Sequence, residues 1–228
     1  MNNTIIVIPA YNEEQTIGEL IERSKKYTDI CVVNDGSKDN TANIVNSYSK
    51  VVQIIHQRNT HIPQTIRDGM QYANENNYDY VITMDAGLSH SPEELTHFLE
   101  HPDCDLLIGY REKKISVPWY RNLLSKIGSL CINIVIRPIF SNLPYRQYKD
   151  ITSGYRRYSK KAIELLLNRK MLSRSFDFHS EAFMLIYRNE LTIEEIPITY
   201  VYTNSSLSYK VLLDSVSMLL NMLISRRK

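Results

Sequence analysis

Two aspartates in this chain close short apolar runs, and each leads straight into residues that turn. Asp35 follows Ile30-Cys31-Val32-Val33-Asn34 and opens Gly36-Ser37; Asp85 follows Tyr80 to Met84 and opens Ala86-Gly87-Leu88-Ser89-His90. Carboxylates at strand ends can bond a base N–H or ribose hydroxyls, or hold a divalent cation through oxygen. A further apolar run, Thr4 to Pro9, ends in Ala10-Tyr11-Asn12-Glu13, which adds an aromatic ring, a carboxamide and another carboxylate. Asp85 taken alone is more simply a turn residue that stops a strand. The repetition of such ends points instead to one crevice at the carboxyl edge of a parallel sheet, where open α/β sheets bind ligands. No G-x-G-x-x-G follows the first run and no G-x-x-x-x-G-K-[ST] occurs, so a nucleotide here would be gripped by carboxylates and metal rather than by a glycine-rich cradle.

The elements that must position these groups follow from periodicity. Thr4 to Pro9 is a continuous apolar run, as expected of a strand buried on both faces. A helix with Ile17, Leu20 and Ile21 on one face should run to about Tyr27, followed by strand Ile30 to Val33 and helix Thr41 to Tyr48. Strand Val51 to Ile55, helix Pro63 to Asn74, strand Tyr80 to Met84, helix Pro92 to Glu100 and strand Asp105 to Gly109 complete the first half. Ser91-Pro92-Glu93-Glu94 reads as a helix start, with Ser91 as N-cap and Glu94 closing a capping box. Successive β-then-α units predict a parallel sheet with right-handed crossovers.

The second half changes character. Pro118 to Phe140 carries Trp119, Leu123, Leu124, Ile127, Leu130 and Ile134 with few charges. It suits a helix packed on the sheet or one lying at a membrane surface, and is too short and interrupted to span a bilayer. Beyond it the pattern predicts strand Asp150 to Tyr158, helices Lys160 to Leu167 and Phe178 to Arg188, strand Thr192 to Val201, and a last amphipathic helix Leu207 to Arg226. The basic end Arg226-Arg227-Lys228 suits a helix C-terminus, anionic lipid or a solvated tail.

Composition bounds the function. The chain has 228 residues, 43% hydrophobic and 23% charged, within the range of globular proteins. A net charge of +2 gives no field of the kind that polyanions demand, so no nucleic-acid partner is expected. The cysteines, Cys31, Cys104 and Cys131, are too dispersed for a disulfide framework or a structural zinc site and suit a reducing cytoplasm. No signal peptide is expected from the short apolar run near the start.

Val7-Ile-Pro-Ala-Tyr-Asn-Glu-Glu14, Val33-Asn-Asp-Gly-Ser37 and Met84-Asp-Ala-Gly-Leu-Ser-His90 together resemble family 2 glycosyltransferases of the GT-A fold. Within that family the chain is most similar to the polyprenol (dolichol) phosphate mannosyl- and glucosyltransferases. Further matches follow in order: Ile108-Gly-Tyr-Arg111, Pro118-Trp-Tyr-Arg121-Asn-Leu-Leu-Ser125, Asp150-Ile-Thr-Ser-Gly-Tyr-Arg156, Phe178-His-Ser-Glu181 and Ile196-Pro-Ile-Thr-Tyr200. The resemblance implies an α/β GT-A domain over 1–228: a mostly parallel sheet flanked by helices, with a nucleotide-sugar half (1–110) and an acceptor half (111–228). It implies an inverting transfer from a GDP- or UDP-linked sugar to a polyprenyl phosphate, at peripheral contact with the cytoplasmic face of a membrane. By position, Pro9, Ala10, Tyr11, Glu13 and Asp35 would contact the nucleoside, Asp85 the sugar diphosphate and an Mg²⁺ or Mn²⁺ ion. Arg111, Arg121 and Ser125 would bind the acceptor phosphate, and Asp150, Ser153 and Glu181 would line the sugar side. The chemistry would thus rest on Asp85, Arg121, Glu181 and Asp150.

The chain departs from the family where Gly87 replaces a second aspartate, Ser89 a frequent glutamine, and Asn59-Thr-His-Ile-Pro63 a Gly-Lys pair. Asp85 is then the single strong metal ligand of its motif, with His90 at hand to assist it or to serve the structure. A guanidinium pair with a hydroxyl suits a phosphate monoester, although either arginine alone could simply pair with a surface carboxylate. A phosphate acceptor is already anionic and needs no strong base, whereas a saccharide hydroxyl would need one, from Glu181 or Asp150. Asp150 could equally cap or turn the chain before a strand. Two other readings remain: transfer to a saccharide hydroxyl, and a non-catalytic sugar-nucleotide-binding protein that lost its metal site at Gly87.

Overall fold

The computed structural model describes residues 3–135, 146–175 and 177–202, apart from the side chains of Arg121, Leu124 and Val135. The expected helix Leu207 to Arg226, with its basic end, lies outside the described residues.

One sheet of seven strands, in the order β3-β2-β1-β4-β6-β5-β7, takes strands from both halves of the chain. The strands are β1 (Thr4–Ala10), β2 (Asp29–Asn34), β3 (Val51–Ile55), β4 (Tyr80–Thr83), β5 (Leu106–Ile115), β6 (Arg156–Ser159) and β7 (Ile193–Val201). The β1–β2, β2–β3, β1–β4 and β5–β7 pairings are parallel, whereas β6 is antiparallel to both β4 and β5. It follows that β6 alone runs against the other strands. The residues entering β6 therefore lie at the same edge as the residues leaving β1, β2, β4 and β5.

Side chains alternate across β1, as strand geometry requires. Ile5 and Val7 join one core with Ile66 and Met70 of α3 (His61–Glu75), Ile163 and Leu166 of α6 (Lys160–Leu167), and Phe183 of α7 (Phe178–Arg188). Ile6 and Ile8 join the other with Leu20 and Ile21 of α1 (Ile17–Ser24) and Leu95 and Phe98 of α4 (Leu95–Glu100). Helix α2 (Thr41–Asn46) connects β2 to β3, and α5 (Trp119–Val135) connects β5 to the loop before β6.

Three expectations need correction. The capping box at Ser91 does not form: Pro92–Glu94 is a single 3-10 turn, Ser91 Oγ donates to the Glu93 carboxylate, and Glu94 Oε1 accepts the Thr199 N–H at 3.1 Å. Strand β5 continues to Ile115, because β7 pairs with it throughout, with a shift of register between Arg111 and Lys113. The expected strand Asp150 to Tyr158 shrinks to Arg156–Ser159. Its first part has its backbone groups taken by side chains instead of a ladder. Asp150 N donates to Glu195 Oε1 at 3.2 Å and Ile151 N to Ser129 Oγ at 3.2 Å.

Arg156 completes that arrangement. Fully buried, its guanidinium donates to the carbonyls of Ser153 (2.7 Å), His179 (2.7 Å) and Ile151. Arg156→Met should lower the unfolding free energy by about 3–5 kcal/mol, because each stranded buried carbonyl costs about 1–3 kcal/mol. Urea unfolding measures this, and a loss below about 1 kcal/mol would show that the loop holds without the guanidinium.

Candidate active site

The sheet edge beyond β1 and β2 is built from two tied loops. Asn12, at φ 56°, donates its N–H to Ser37 Oγ (3.0 Å) and accepts the Lys38 N–H at Oδ1 (2.8 Å). Glu13 N–H donates to Thr41 Oγ1 at 2.8 Å. These bonds hold Pro9, Ala10 and Tyr11 over the edge of the sheet, with the Tyr11 ring 43% exposed. Burial raises the Glu13 carboxyl above its ordinary value; the Thr16 hydroxyl bond opposes this, and the negative charges of Asp85 and Asp39 add to it.

Asp35 is buried and its carboxylate is fully engaged. Oδ1 meets His56 Nδ1 (2.8 Å), Thr60 N (2.7 Å) and Thr60 Oγ1 (2.8 Å), and Oδ2 accepts the His61 N–H (2.9 Å). Burial alone would raise this carboxyl, but the bonds from His56, Thr60 and His61 hold it below the usual range. His56 reaches on through Nε2 to Asp68 at 3.0 Å. Asp35 therefore latches the loop 56–61 against the end of β2. Beside it, Gly36 sits at φ +73°, and a Cβ there would stand 2.8 Å from the Arg58 carbonyl carbon. Only glycine fits both the conformation and the space. His61 itself takes φ 69°, a strained setting for a residue with a side chain.

Asp85 lies two residues beyond β4, and its side chain is 38% exposed. Opposite it is Gly154, because Thr83 pairs with Arg156 and Thr83 Oγ1 donates to the Gly154 carbonyl at 2.7 Å. A Cβ at Gly154 would lie 3.0 Å from His179 Nε2 and 3.4 Å from Asp85 Oδ1. His90 approaches from the other side, with Nδ1 3.7 Å from Asp85 Oδ2. Both imidazoles are buried, and neither Nδ1 has a hydrogen-bond partner. Burial pushes His90 below the ordinary histidine value and His179 well below it. The motif reading left His90 between assisting Asp85 and serving the structure, and gave His179 no role although it lies within Phe178-His-Ser-Glu181.

Between β5 and α5 the structure brings Arg111, Ser125, Asp150 and Thr152 together. Arg111 Nε donates to Asp150 Oδ2 (2.6 Å), and Nη2 donates to Asp150 Oδ1 (2.8 Å), Thr152 Oγ1 (2.6 Å) and Ser125 Oγ (2.9 Å). The guanidinium also lies over the Tyr200 ring, 5.3 Å from its centroid. The Arg111 fork is thus closed on Asp150. Burial would raise the Asp150 carboxyl, but the Arg111 charge and its hydrogen bonds hold it well below the usual range. Glu181 is buried elsewhere: its carboxylate accepts the Leu172 N–H (2.8 and 3.0 Å) and the Ser173 N–H (2.7 Å), anchoring the segment before α7. Ser153 is fully buried beside the site. The Arg121 side chain lies outside the description.

Residues 5–167 match the family model for glycosyl transferase family 2. The chain belongs to this family. It is 28% identical over 224 residues to a UDP-N-acetylglucosamine–dolichyl-phosphate N-acetylglucosaminyltransferase of Methanococcus voltae, covering 89% of this chain and 87% of the relative. An undecaprenyl-phosphate mannosyltransferase of Micrococcus luteus is 29% identical over 86% of this chain and 83% of its own. A polyprenol monophosphomannose synthase of Mycolicibacterium smegmatis is 26% identical over 86% and 77%. In fold, the glycosyltransferase resembles glucosyl-3-phosphoglycerate synthase of Mycobacterium tuberculosis, crystallised with Mn²⁺, UDP and phosphoglyceric acid. The TM-score is 0.71 at 13% identity, over 99% of this chain and 78% of the other.

Fit to a metal ion can be tested on the groups present. Among the described residues no three His, Cys, Asp or Glu side chains are grouped to hold an ion by themselves. At Asp85 the enzyme offers one carboxylate, with Gly87 in the place of a second, and the orphaned His90 Nδ1 beside it. These groups fit an ion that completes its shell from a bound diphosphate.

The Asp150–Arg111 pair yields a pH prediction. A folded-state carboxyl depressed below its unfolded value of about 3.9 stabilises the fold above that value. The contribution is lost as the pH falls below it. Asp150→Asn should cost about 3–5 kcal/mol at neutral pH, since it leaves Arg111 buried without its counter-charge. The gap to the parent should narrow below pH of about 4. Urea unfolding at pH 7, 5 and 3 reads both; a gap independent of pH would assign the loss to packing.

Proposed function

We propose that this glycosyltransferase moves a sugar, with inversion, from a nucleotide-sugar to a polyprenyl phosphate. The relatives named for dolichyl, polyprenol and undecaprenyl phosphate support the acceptor class. The observation that carries the reading is the polarity of α5, which buries polar groups beside Ile132 and exposes most of its large apolar ones. Its inward face presents Ser125, Ser129 and Asn133, one turn apart. Ser129 accepts the Ile151 N–H, and Asn133 bonds the Tyr148 carbonyl (2.7 Å) and N–H (2.9 Å). Its outward face leaves Trp119 77%, Leu123 49%, Ile127 46%, Leu130 52% and Ile134 53% exposed. A helix with that pattern suits an apolar medium outside the protein, such as an acyl boundary or a prenyl chain. No helix among the described residues is long and apolar enough to cross a membrane.

The chemistry agrees with an acceptor that brings its own charge. In the proposed step a phosphate oxygen forms the new bond to the anomeric carbon, and the bond to the donor diphosphate breaks with its electron pair leaving on that diphosphate. A saccharide hydroxyl would also have to lose a proton to a base. Asp150 is closed on Arg111 and Glu181 on backbone N–H groups, so neither stands open for that task. An anionic phosphate needs positioning and charge balance only. Near Asp150, whose charge Arg111 already balances, Lys114 and Lys126 add positive charge; burial lowers Lys114, Asp150 opposes that, and the like charges of Arg111 and Lys126 reinforce it. At Asp85, a bound divalent ion would neutralise charge on the leaving diphosphate.

Incubation with a panel of UDP- and GDP-sugars should give an acid-labile glycosyl phosphoprenol from polyprenyl phosphate and no product from free saccharides. Leu123→Gln with Ile127→Gln should reduce transfer to long-chain polyprenyl phosphate more than to a short-chain analogue. Product from saccharides alone would overturn the acceptor; equal loss on both chain lengths would remove α5 from chain binding.

A further inference from the structure

We propose that His90 is the second protein ligand of a divalent cation at Asp85, forming with it a mixed nitrogen–oxygen pair that the donor diphosphate completes. The inference rests on the reading of this edge as a nucleotide-sugar site.

The argument starts from what a buried imidazole needs. A buried ring nitrogen without a partner forfeits a hydrogen bond, and such groups are few in folded proteins. His90 is 1% exposed, and its Nδ1 has no hydrogen-bond partner. Its ring is wedged between Tyr155, at a centroid distance of 5.0 Å, and Tyr200, at 5.6 Å, while its backbone bridges to Tyr200. Packing therefore holds the ring with Nδ1 toward Asp85 Oδ2, 3.7 Å away. That is too long for a good hydrogen bond. Two atoms bonded to one ion at about 2.1 Å each stand about 3.4 Å apart at a tetrahedral angle. A shift of a few tenths of an ångström would bring Nδ1 and Oδ2 to one ion.

The sequence supplies the complement. Gly87 has no side chain to offer, so an ion at Asp85 would find a single carboxylate in this loop unless another atom joins it. Replacing an oxygen–oxygen pair by a nitrogen–oxygen pair changes the preferred metal, since imidazole favours Co²⁺, Zn²⁺ and other transition ions over Mg²⁺. Gly154 keeps the opposite side open, because any side chain there would crowd Asp85 Oδ1 and His179 Nε2. The two protein ligands fall short of a closed shell, which accounts for the lack of a three-residue metal group among the described residues. The ion would then enter with the nucleotide.

The test uses the whole protein with Mn²⁺ or Co²⁺ and UDP or GDP. Nucleotide binding is first measured by calorimetry without metal. Pulsed electron paramagnetic resonance on the Mn²⁺–nucleotide complex should show hyperfine coupling from a directly bound imidazole nitrogen. The coupling should vanish in His90→Gln, with metal affinity in the ternary complex falling about 10–100-fold. His179→Gln should retain the coupling. Gly87→Asp should shift the preference toward Mg²⁺. Since His90 is packed among aromatic rings and its replacement can disturb the fold, His179→Gln carries the assignment independently: loss of the coupling there would overturn the His90 ligand. Nucleotide binding with no nitrogen coupling overturns the His90 ligand and leaves the donor site standing. Failure to bind either nucleotide, with or without metal, overturns the donor site and the ligand together.

Discussion

The reversal of one short strand is the constraint on which the site depends. If β6 ran parallel to β4, the segment 150–154 would leave from the opposite edge of the sheet and Asp85 would face open solvent. Because β6 runs backwards, Asp150, Ser153 and Gly154 arrive beside the ends of β4 and β5. Arg156 secures the reversal with a buried positive charge that meets three carbonyls. Burying a guanidinium is costly unless its donors are satisfied, and the carbonyls of Ile151, Ser153 and His179 satisfy them. The same bonds tie the loop to the start of α7, so the floor of the site and the helix behind it move as one piece.

The donor and acceptor sides solve the problem of buried charge in different ways. Asp35 spends its whole hydrogen-bonding capacity on the loop 56–61 and so fixes the shape of the nucleoside end. This latch stands where relatives are expected to carry Gly-Lys, and the strained backbone of His61 is held by it. Asp150 instead neutralises Arg111, which in turn fixes Ser125 and Thr152. Both carboxylates act mainly by positioning neighbours. Tyr11 and Asp85 remain open beside them.

Much of the fold was legible because its signals are local. Runs of β-branched residues ending in turn residues marked β1, β2 and β4, and the order of these runs led to a mostly parallel sheet with Asp35 and Asp85 on one edge. The direction of β6 was not legible, since a four-residue strand carries no mark of its partner. The extension of β5 was hidden by Arg111-Glu-Lys-Lys114, which is polar yet paired by β7 on either side of an irregularity at Glu112. The capping box at Ser91 failed because the signature cannot show that Thr199, far along the chain, claims Glu94. Motif matching named Arg111 and Ser125 for the acceptor phosphate and Asp150 for the sugar side, and only coordinates reveal that the three bond one another. The partnerless Nδ1 of His90 is likewise a property of packing, which a sequence does not express.

The polarity of α5 links these parts to the proposed chemistry. An isolated helix gains little by placing serines and an asparagine inward and large apolar groups outward, because water penalises the exposed face. The arrangement is favourable only if the inward groups are needed and the outward face has somewhere to go. The inward groups are needed: Ser125 joins the Arg111–Asp150 cluster, and Ser129 and Asn133 satisfy the backbone on either side of Asp150. The same helix therefore positions the charged cluster and presents the apolar stripe. An amphiphile with a phosphate head and a hydrocarbon tail would meet both at once, with its head at the start of α5 and its tail along the outward face. A soluble saccharide would use the first and leave the second exposed to water.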